Sequence, residues 1–487
     1  MDIKIINIKR YIFIVIFILL VILSFLLFIR LGLDYDESVF LFYGDSILHG
    51  SILYKDCIDI KPPGIFYLLA LIFFIFGKSV YAAKSVHFMV CGLSAVILFL
   101  IGKKLWNEDI GMLSSILFLF GTLMQAYTLY AIRTDIFMVL FGLLGFLLFF
   151  KSIEKDVYLI PSGMSIGLST LFKQPGGLFL LTILLFSIFK LWRQRKTSLH
   201  LKNNIKRISL IFSGFFVPII IVASYFWFVG ALDNLIYWSL LYSLTEYGRS
   251  LAPVINLMYN FLSYSIVWVF SFVSLLIICY KFISRMAEDR EIFIAIWFLL
   301  SLYPLTIKQD GDYFVLILPA ACLLSSLALI EIYPILSLKS IRNSLSKIEY
   351  QKIFTVICIF LLIFITTSTV IYGEYKLQNE RAPLYNEERE VADFIQSHTT
   401  ENEMILSNSP SIYFLSGRMP PISYSSVKPF GDVIEQIKKN DIHTNYIVIY
   451  KDKISNEGEK IYEFIRSNYK IEKQIGKFDI YKRVEEF

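Results

Sequence analysis

Residues 11–64 read YIFIVIFILL VILSFLLFIR LGLDYDESVF LFYGDSILHG SILYKDCIDI KPPG, and this stretch governs how the rest of the chain is read. It opens on an apolar run, Tyr11 to Ile29, preceded by Lys4, Lys9 and Arg10. The run is longer than the apolar core of a secretory signal and ends in Phe28-Ile29-Arg30 without a small-residue cleavage site. It is therefore expected to stay as a first membrane span. Beyond it, Asp34, Asp36 and Glu37 place three carboxylates within four residues beside hydrocarbon, where charge is costly and needs a purpose. Val39, Phe40, Tyr43, Ile47 and Leu48 then recur at helical spacing, which predicts an amphipathic helix lying at the membrane surface. Asp36 would stand at the start of that helix, accepting backbone N–H groups, with Glu37 in its first turn. Lys61, stiffened by Pro62 and Pro63, falls at lipid headgroup depth. There it is either a snorkelling interfacial lysine or a partner for a lipid phosphate. Ile65 to Phe76 is apolar but too short to span, so it is expected in or near the interface.

Outward from this stretch the pattern repeats. The chain has 487 residues, 56% of them hydrophobic, well above the share usual in soluble domains. Apolar runs near 11–29, 79–101, 110–127, 136–150, 157–172, 175–190, 208–229, 259–280, 291–307, 313–333 and 352–372 predict about eleven transmembrane helices. Two of them are short and separated by Lys173-Gln-Pro-Gly-Gly177, a break tolerated only where protein or water covers it. Lys103, Lys104, Lys151, Lys155, a cluster from Lys190 to Arg207, then Lys281, Arg285, Arg290 and a group from Lys339 to Lys352 all fall in alternate loops. The positive-inside rule puts those loops and the N-terminus in the cytoplasm, and an odd span count puts the C-terminus outside. No cysteine pairing or C-x-x-C stands out, the five histidines are scattered, and no basic stripe for nucleic acid is present. No metal and no cofactor is expected to be required, although clustered carboxylates can recruit a divalent cation.

After Tyr372 the composition turns polar. Helices over Glu387–Gln396 and Lys460–Asn468 alternate with short strands at Met404–Leu406, Tyr446–Tyr450 and Phe478–Tyr481, the pattern of a small α/β domain. The expected organisation is thus an α-helical polytopic membrane domain, 1–372, followed by an extracytoplasmic α/β domain, 373–487.

The placement of these motifs resembles the GT-C glycosyltransferases that use polyprenyl-phosphate sugars. Asp36-Glu37 follows the first span and Lys61-Pro-Pro-Gly64 precedes the second. Tyr130-Ala-Ile-Arg-Thr-Asp135 is similar to the family's second acidic position, and Asp310 to Pro319 to its late aromatic-to-proline span. The nearest likeness is to glycosyltransferase family 39, with its protein mannosyltransferases and the bacterial lipid A aminoarabinose transferase. The latter has more spans than are counted here, so its acceptor does not carry over.

The resemblance implies a GT-C fold and transfer of a sugar from a lipid phosphate to an acceptor hydroxyl by inverting displacement. It implies Asp36 as the first candidate for the base that takes the acceptor proton. Glu37 is the second candidate, and Asp135 orients the sugar or the base. Lys61 leads for the donor phosphate, with Arg133, Lys173 and Arg249 as further outward cations. Arg249 lies in the long loop between Gly230 and Tyr259. The acceptor is a lipid, a glycan or a protein.

Three other readings stand beside this one. A lipid or glycan transporter or flippase also needs many spans and a broken helix, yet no inverted repeat stands out and the carboxylates gather in one outer loop. An O-antigen polymerase or ligase would carry its main charged loop late in the chain. A non-catalytic scaffold would have no use for Asp36, Lys61 and Asp135 together.

Overall fold

In the computed structural model of the chain, the described residues are 13–19, 21–22, 32–124, 131–194, 198–245, 265–307, 314–336, 382–427, 430–453 and 458–484. The expected span at 352–372 and the candidate Arg249 lie outside them, as do most of 11–29 and the acidic end of the motif at Asp310. The helices used below are α1 (Tyr35–Leu48), α2 (Gly64–Phe76), α3 (Val80–Leu105), α4 (Glu108–Met124), α5 (Thr134–Lys151), α6 (Leu159–Phe172), α7 (Gly177–Gln194), α8 (Ser198–Phe228), α9 (Ser265–Ile283), α10 (Asp289–Ser301) and α11 (Phe314–Leu336). Towards the C-terminus follow α12 (Ala382–His398), α13 (Pro410–Ser416), α14 (Phe430–Lys439) and α15 (Gly458–Asn468). The strands are β1 (Cys57–Ile58), β2 (Leu406–Ser407), β3 (Tyr424–Ser425), β4 (Tyr446–Tyr450), β5 (Tyr469–Ile475) and β6 (Phe478–Arg483).

The chain divides into two compact units. One comprises Met1–Phe28, Ser85–Val222 and Gly248–Gly373; the other comprises Ile29–Lys84, Ala223–Tyr247 and Glu374–Phe487. Four described helices are long and apolar enough to cross a membrane: Val80–Leu105, Thr134–Lys151, Gln174–Arg193 and Lys202–Phe228.

In the first unit the helices are fastened by polar atoms rather than by apolar packing alone. Ser162, Ser165 and Ser169 lie on one face of α6 and donate to the carbonyls of Gly145, Phe141 and Met138 on α5, at 2.8, 2.8 and 2.6 Å. Such side-chain bonds help to hold helices together where no hydrophobic force separates protein from lipid. Glycines do the same for α6 and α8. A Cβ at Gly163 would run into the Ile211 carbonyl, and one at Gly214 into the Ile160 carbonyl, so the two backbones touch only because neither residue has a side chain. Between α9 and α11, Ser271 donates to the Ala321 carbonyl at 2.9 Å. Phe146, Phe179, Phe293 and Trp297 pack ring against ring among α5, α7 and α10. The break after α6 is a single 3-10 turn, Gln174–Gly176.

In the second unit α1 forms where helical spacing predicts it, but not as a surface helix. Every residue from Glu37 to Ser46 is buried. Its neighbours are the reason. Phe40 and Tyr43 pack on Phe66 of α2, and Phe42 stacks on Tyr413 of α13 with ring centroids 5.0 Å apart. The face that spacing alone assigned to water is thus covered by residues nearly four hundred positions away. Asp34, not Asp36, caps the helix. Its side chain accepts the backbone N–H of Glu37, and its own N–H donates to the Glu37 carboxylate at 3.3 Å.

The C-terminal part of this unit carries a four-stranded sheet in the order β2-β4-β6-β5. β2 and β4 run parallel, and β6 runs antiparallel to both of its neighbours. Ile434, Ile437, Ile447, Ile449, Ile461 and Ile465 form its core against α14 and α15. A second, two-residue parallel pairing joins β1 to β3, with Cys57 opposite Tyr424 and Ile58 opposite Ser425.

Candidate active site

Two groups of charged side chains stand out, one in each unit. In the second unit, α1 presents successive carboxylates to two lysines. Lys61 Nζ lies 3.5 Å from Asp36 Oδ2, with the ammonium over the Phe40 ring. Lys84 Nζ lies 3.6 Å from Glu37 Oε2 and donates to the Gly32 carbonyl at 3.4 Å. Exposure separates the two pairs. The Asp36 and Lys61 side chains are 36% and 22% exposed, those of Glu37 and Lys84 0% and 1%. The first pair is partly exposed to solvent; the second is buried at the start of the helix.

The Lys61 backbone is held from both sides. Its N–H donates to Asp59 Oδ1 at 2.8 Å, and its carbonyl accepts the Tyr54 hydroxyl at 2.7 Å. Asp59 is buried, and its other oxygen accepts the Ser426 hydroxyl at 2.6 Å. The C-terminal segment reaches the acidic end of α1 as well. The Lys453 ammonium sits over the Tyr35 ring, within electrostatic reach of Asp36, Asp34 and Glu388. Glu388 of α12 is buried, accepts the Ser411 hydroxyl through Oε1 at 2.5 Å, and has no hydrogen-bond partner at Oε2 among the described residues. Burial pushes its carboxyl up to about 7. Glu37 and Glu387 push the same way, against the Ser411 hydrogen bond and Lys453.

In the first unit, Lys173 Nζ bonds both oxygens of Asp135, at 2.8 and 2.9 Å. Asp135 is buried in the first turn of α5, and Lys173 sits on the turn that follows α6. Arg133, also buried, precedes α5, and its N–H points to His87 Nδ1 at 3.4 Å. The expected site residues thus fall into two sets: Asp36, Glu37 and Lys61, and Arg133, Asp135 and Lys173. Among the described residues no group of three or more His, Cys, Asp or Glu side chains is placed to hold a metal ion.

Residues 60–222 match the family model described as dolichyl-phosphate-mannose-protein mannosyltransferase. No curated protein matches the sequence. Among solved structures, ArnT from Cupriavidus metallidurans in the apo state superposes with a TM-score of 0.63 at 12% identity, covering 98% of each chain. The fold is that of the GT-C glycosyltransferases. ArnT from the same organism bound to undecaprenyl phosphate gives a TM-score of 0.60 at 11% identity, over 97% of this chain and 98% of that one. Archaeal oligosaccharyltransferase AglB from Archaeoglobus fulgidus, in complex with an inhibitory peptide and a dolichol-phosphate, gives 0.60 at 12% identity, over 98% of this chain and 75% of that one. The segment matched by the family model contains Lys61, Arg133, Asp135 and Lys173; Asp36 and Glu37 precede it.

Sequence reasoning did not single out Lys84, Asp59, Ser426, Glu388 or Lys453. Lys84 carried a usable signal. It is a lysine inside an apolar run, and such a charge needs a partner. The other four carried none, because their roles depend on contacts between distant parts of the chain.

Proposed function

We propose that this protein is a membrane glycosyltransferase that moves a sugar from a polyprenyl-phosphate donor to an acceptor hydroxyl, by inverting displacement on the non-cytoplasmic face. The observation that carries the reading is the partly exposed pair of Asp36 and Lys61, 3.5 Å apart on a GT-C fold. A displacement at the anomeric carbon asks the protein for two things: a base for the acceptor proton and positive charge on the departing phosphate. Asp36 supplies the first and Lys61 the second. Before substrate arrives the two are paired, with Lys453 also within electrostatic reach of Asp36. A lipid phosphate at Lys61 competes with Asp36 for the ammonium, and the Asp36 carboxylate accepts the acceptor's proton. Glu37, locked to Lys84 and to the Asp34 N–H, holds the first turn of α1 in register rather than acting as a second base. Asp135, fixed by Lys173, orients the sugar, and Arg133 and Arg249 add positive charge for the phosphate. No metal is required in this scheme.

The topology proposed from sequence is eleven spans, with the N-terminus cytoplasmic and residues 373–487 outside. The β1–β3 pairing supports one part of it. Residues 57–58 and 424–425 can pair only on the same side of a membrane, so an even number of crossings must separate them. Ten of the eleven expected spans lie between them.

The test uses membranes containing the full chain, radiolabelled polyprenyl-phosphate sugars and lipid, glycan and peptide acceptors. Asp36→Asn should lower transfer by about 10²–10⁴, the worth of a general base. Lys61→Ala should weaken use of the donor. Full transfer by both variants overturns the proposal.

A further inference from the structure

We propose that Asp59 and Ser426 are positioning residues for Lys61, so that a hydroxyl from the C-terminal segment sets the geometry of the donor-phosphate site. This rests on the reading above, in which Lys61 meets the lipid phosphate. Asp59 is a buried carboxylate whose two oxygens have different tasks. Oδ1 takes the Lys61 N–H at 2.8 Å; Oδ2 takes the Ser426 hydroxyl at 2.6 Å. The same hydroxyl also contacts the Ile58 carbonyl at 3.2 Å, and the Ser426 N–H donates to that carbonyl at 3.1 Å. The Tyr43 hydroxyl, from α1, bridges the Ile58 and Tyr424 carbonyls at 2.9 and 3.1 Å. The Tyr54 hydroxyl then fixes the carbonyl of Lys61 itself. Both peptide groups of the lysine are therefore pinned, and its ammonium can be misplaced only through its own rotamers.

A buried carboxylate is costly unless its lone pairs are filled, and charge-assisted bonds of this length are the strong ones. Without the Ser426 hydroxyl, Asp59 loses the partner that holds it in place, and the Lys61 N–H loses a fixed acceptor. Small misplacements of a binding group cost affinity steeply. Ser426 touches neither the donor nor the reacting atoms in this scheme. It acts through Asp59.

The experiment measures binding of undecaprenyl phosphate and of undecaprenol to the full chain in detergent micelles. Lys61→Ala, Asp59→Asn, Ser426→Ala, Ser426→Thr and the Asp59→Asn/Ser426→Ala double variant are compared with wild type. Ser426→Ala and Asp59→Asn should each weaken undecaprenyl phosphate binding about tenfold while leaving undecaprenol binding unchanged. The double variant should be no worse than Asp59→Asn alone, and Ser426→Thr should bind as wild type does. A general loss of structure would weaken both lipids alike, and that result overturns the inference. So does unchanged phosphate binding in Ser426→Ala and Asp59→Asn when Lys61→Ala has lost it. If Lys61→Ala itself binds undecaprenyl phosphate normally, the underlying assignment of Lys61 falls, and the inference with it.

Discussion

Replacing Glu388 with glutamine should stabilise the protein above neutral pH and do little in acid. The folded carboxyl holds its proton up to about 7, whereas the ordinary value is 4.5. Between these limits the folded state binds a proton that the unfolded chain has lost. Stability therefore falls as pH rises through that window, at about 1.4 kcal/mol per pH unit, and levels off above 7. The full difference is on the order of 3 kcal/mol. Glutamine keeps an acceptor for the Ser411 hydroxyl and cannot ionise, so the Glu388→Gln variant should escape this loss. Melting midpoints of purified wild type and variant, measured in the same detergent from pH 4.5 to 8.5, would give the comparison. The curves should meet near pH 4.5 and diverge as pH rises, with the variant more stable at pH 8.5. Parallel curves over the whole range would refute the claim that Glu388 carries a proton buried between Ser411, Lys453 and Glu37.

Lys84→Met should destabilise by about 3–5 kcal/mol, because it strands the Glu37 carboxylate without its ammonium; adding Glu37→Gln should recover most of that, and a melting-midpoint cycle of the four proteins checks it. Gly163→Val should cost about 1–3 kcal/mol or prevent recovery of folded protein, since its side chain would enter the Ile211 carbonyl of α8; fluorescence-detected gel filtration would show this. Asp135→Asn and Lys173→Met should each lower sugar transfer, and the double variant should be little worse than either, as expected of residues that act as one unit; radiolabel transfer at matched expression decides it.

The membrane helices were legible because long apolar runs allow few other structures, and α5, α7 and α8 lie where the runs at 136–150, 175–190 and 208–229 place them. The same averaging hid Lys84. A single charge hardly alters the hydropathy of Val80–Leu105, yet it supplies the partner of Glu37. At the start of α1 the type of residue was readable and its position was not. A cap two residues earlier releases Asp36 from the helix end and leaves it facing Lys61. Strand β4 was plain from Tyr446-Ile-Val-Ile-Tyr450, whereas β5, Tyr469-Lys-Ile-Glu-Lys-Gln-Ile475, was not. It sits at the edge of the sheet with most of its residues in water, so no alternation of apolar side chains marks it. Glu388, within Asn386-Glu-Glu-Arg-Glu390, looks like any charged surface helix. In the fold it is buried, with the Ser411 hydroxyl of α13 bonded to it. The lysine that decides the proposed chemistry was visible, and the aspartate and serine that steady it were not, because their meaning depends on a pairing of two residues with two.

That pairing has a consequence for the order in which the molecule is made. The Tyr43 hydroxyl bonds a carbonyl 381 positions further along the chain. At about 5–20 residues per second, the ribosome needs roughly 20–80 s to supply it. Throughout that interval α1 and the Lys61 loop have already been synthesised but lack their clamp. A newly inserted chain therefore cannot complete this clamp beside the Lys61 loop until Tyr424 has been made, and in the scheme proposed above an ordered donor site waits on that arrival.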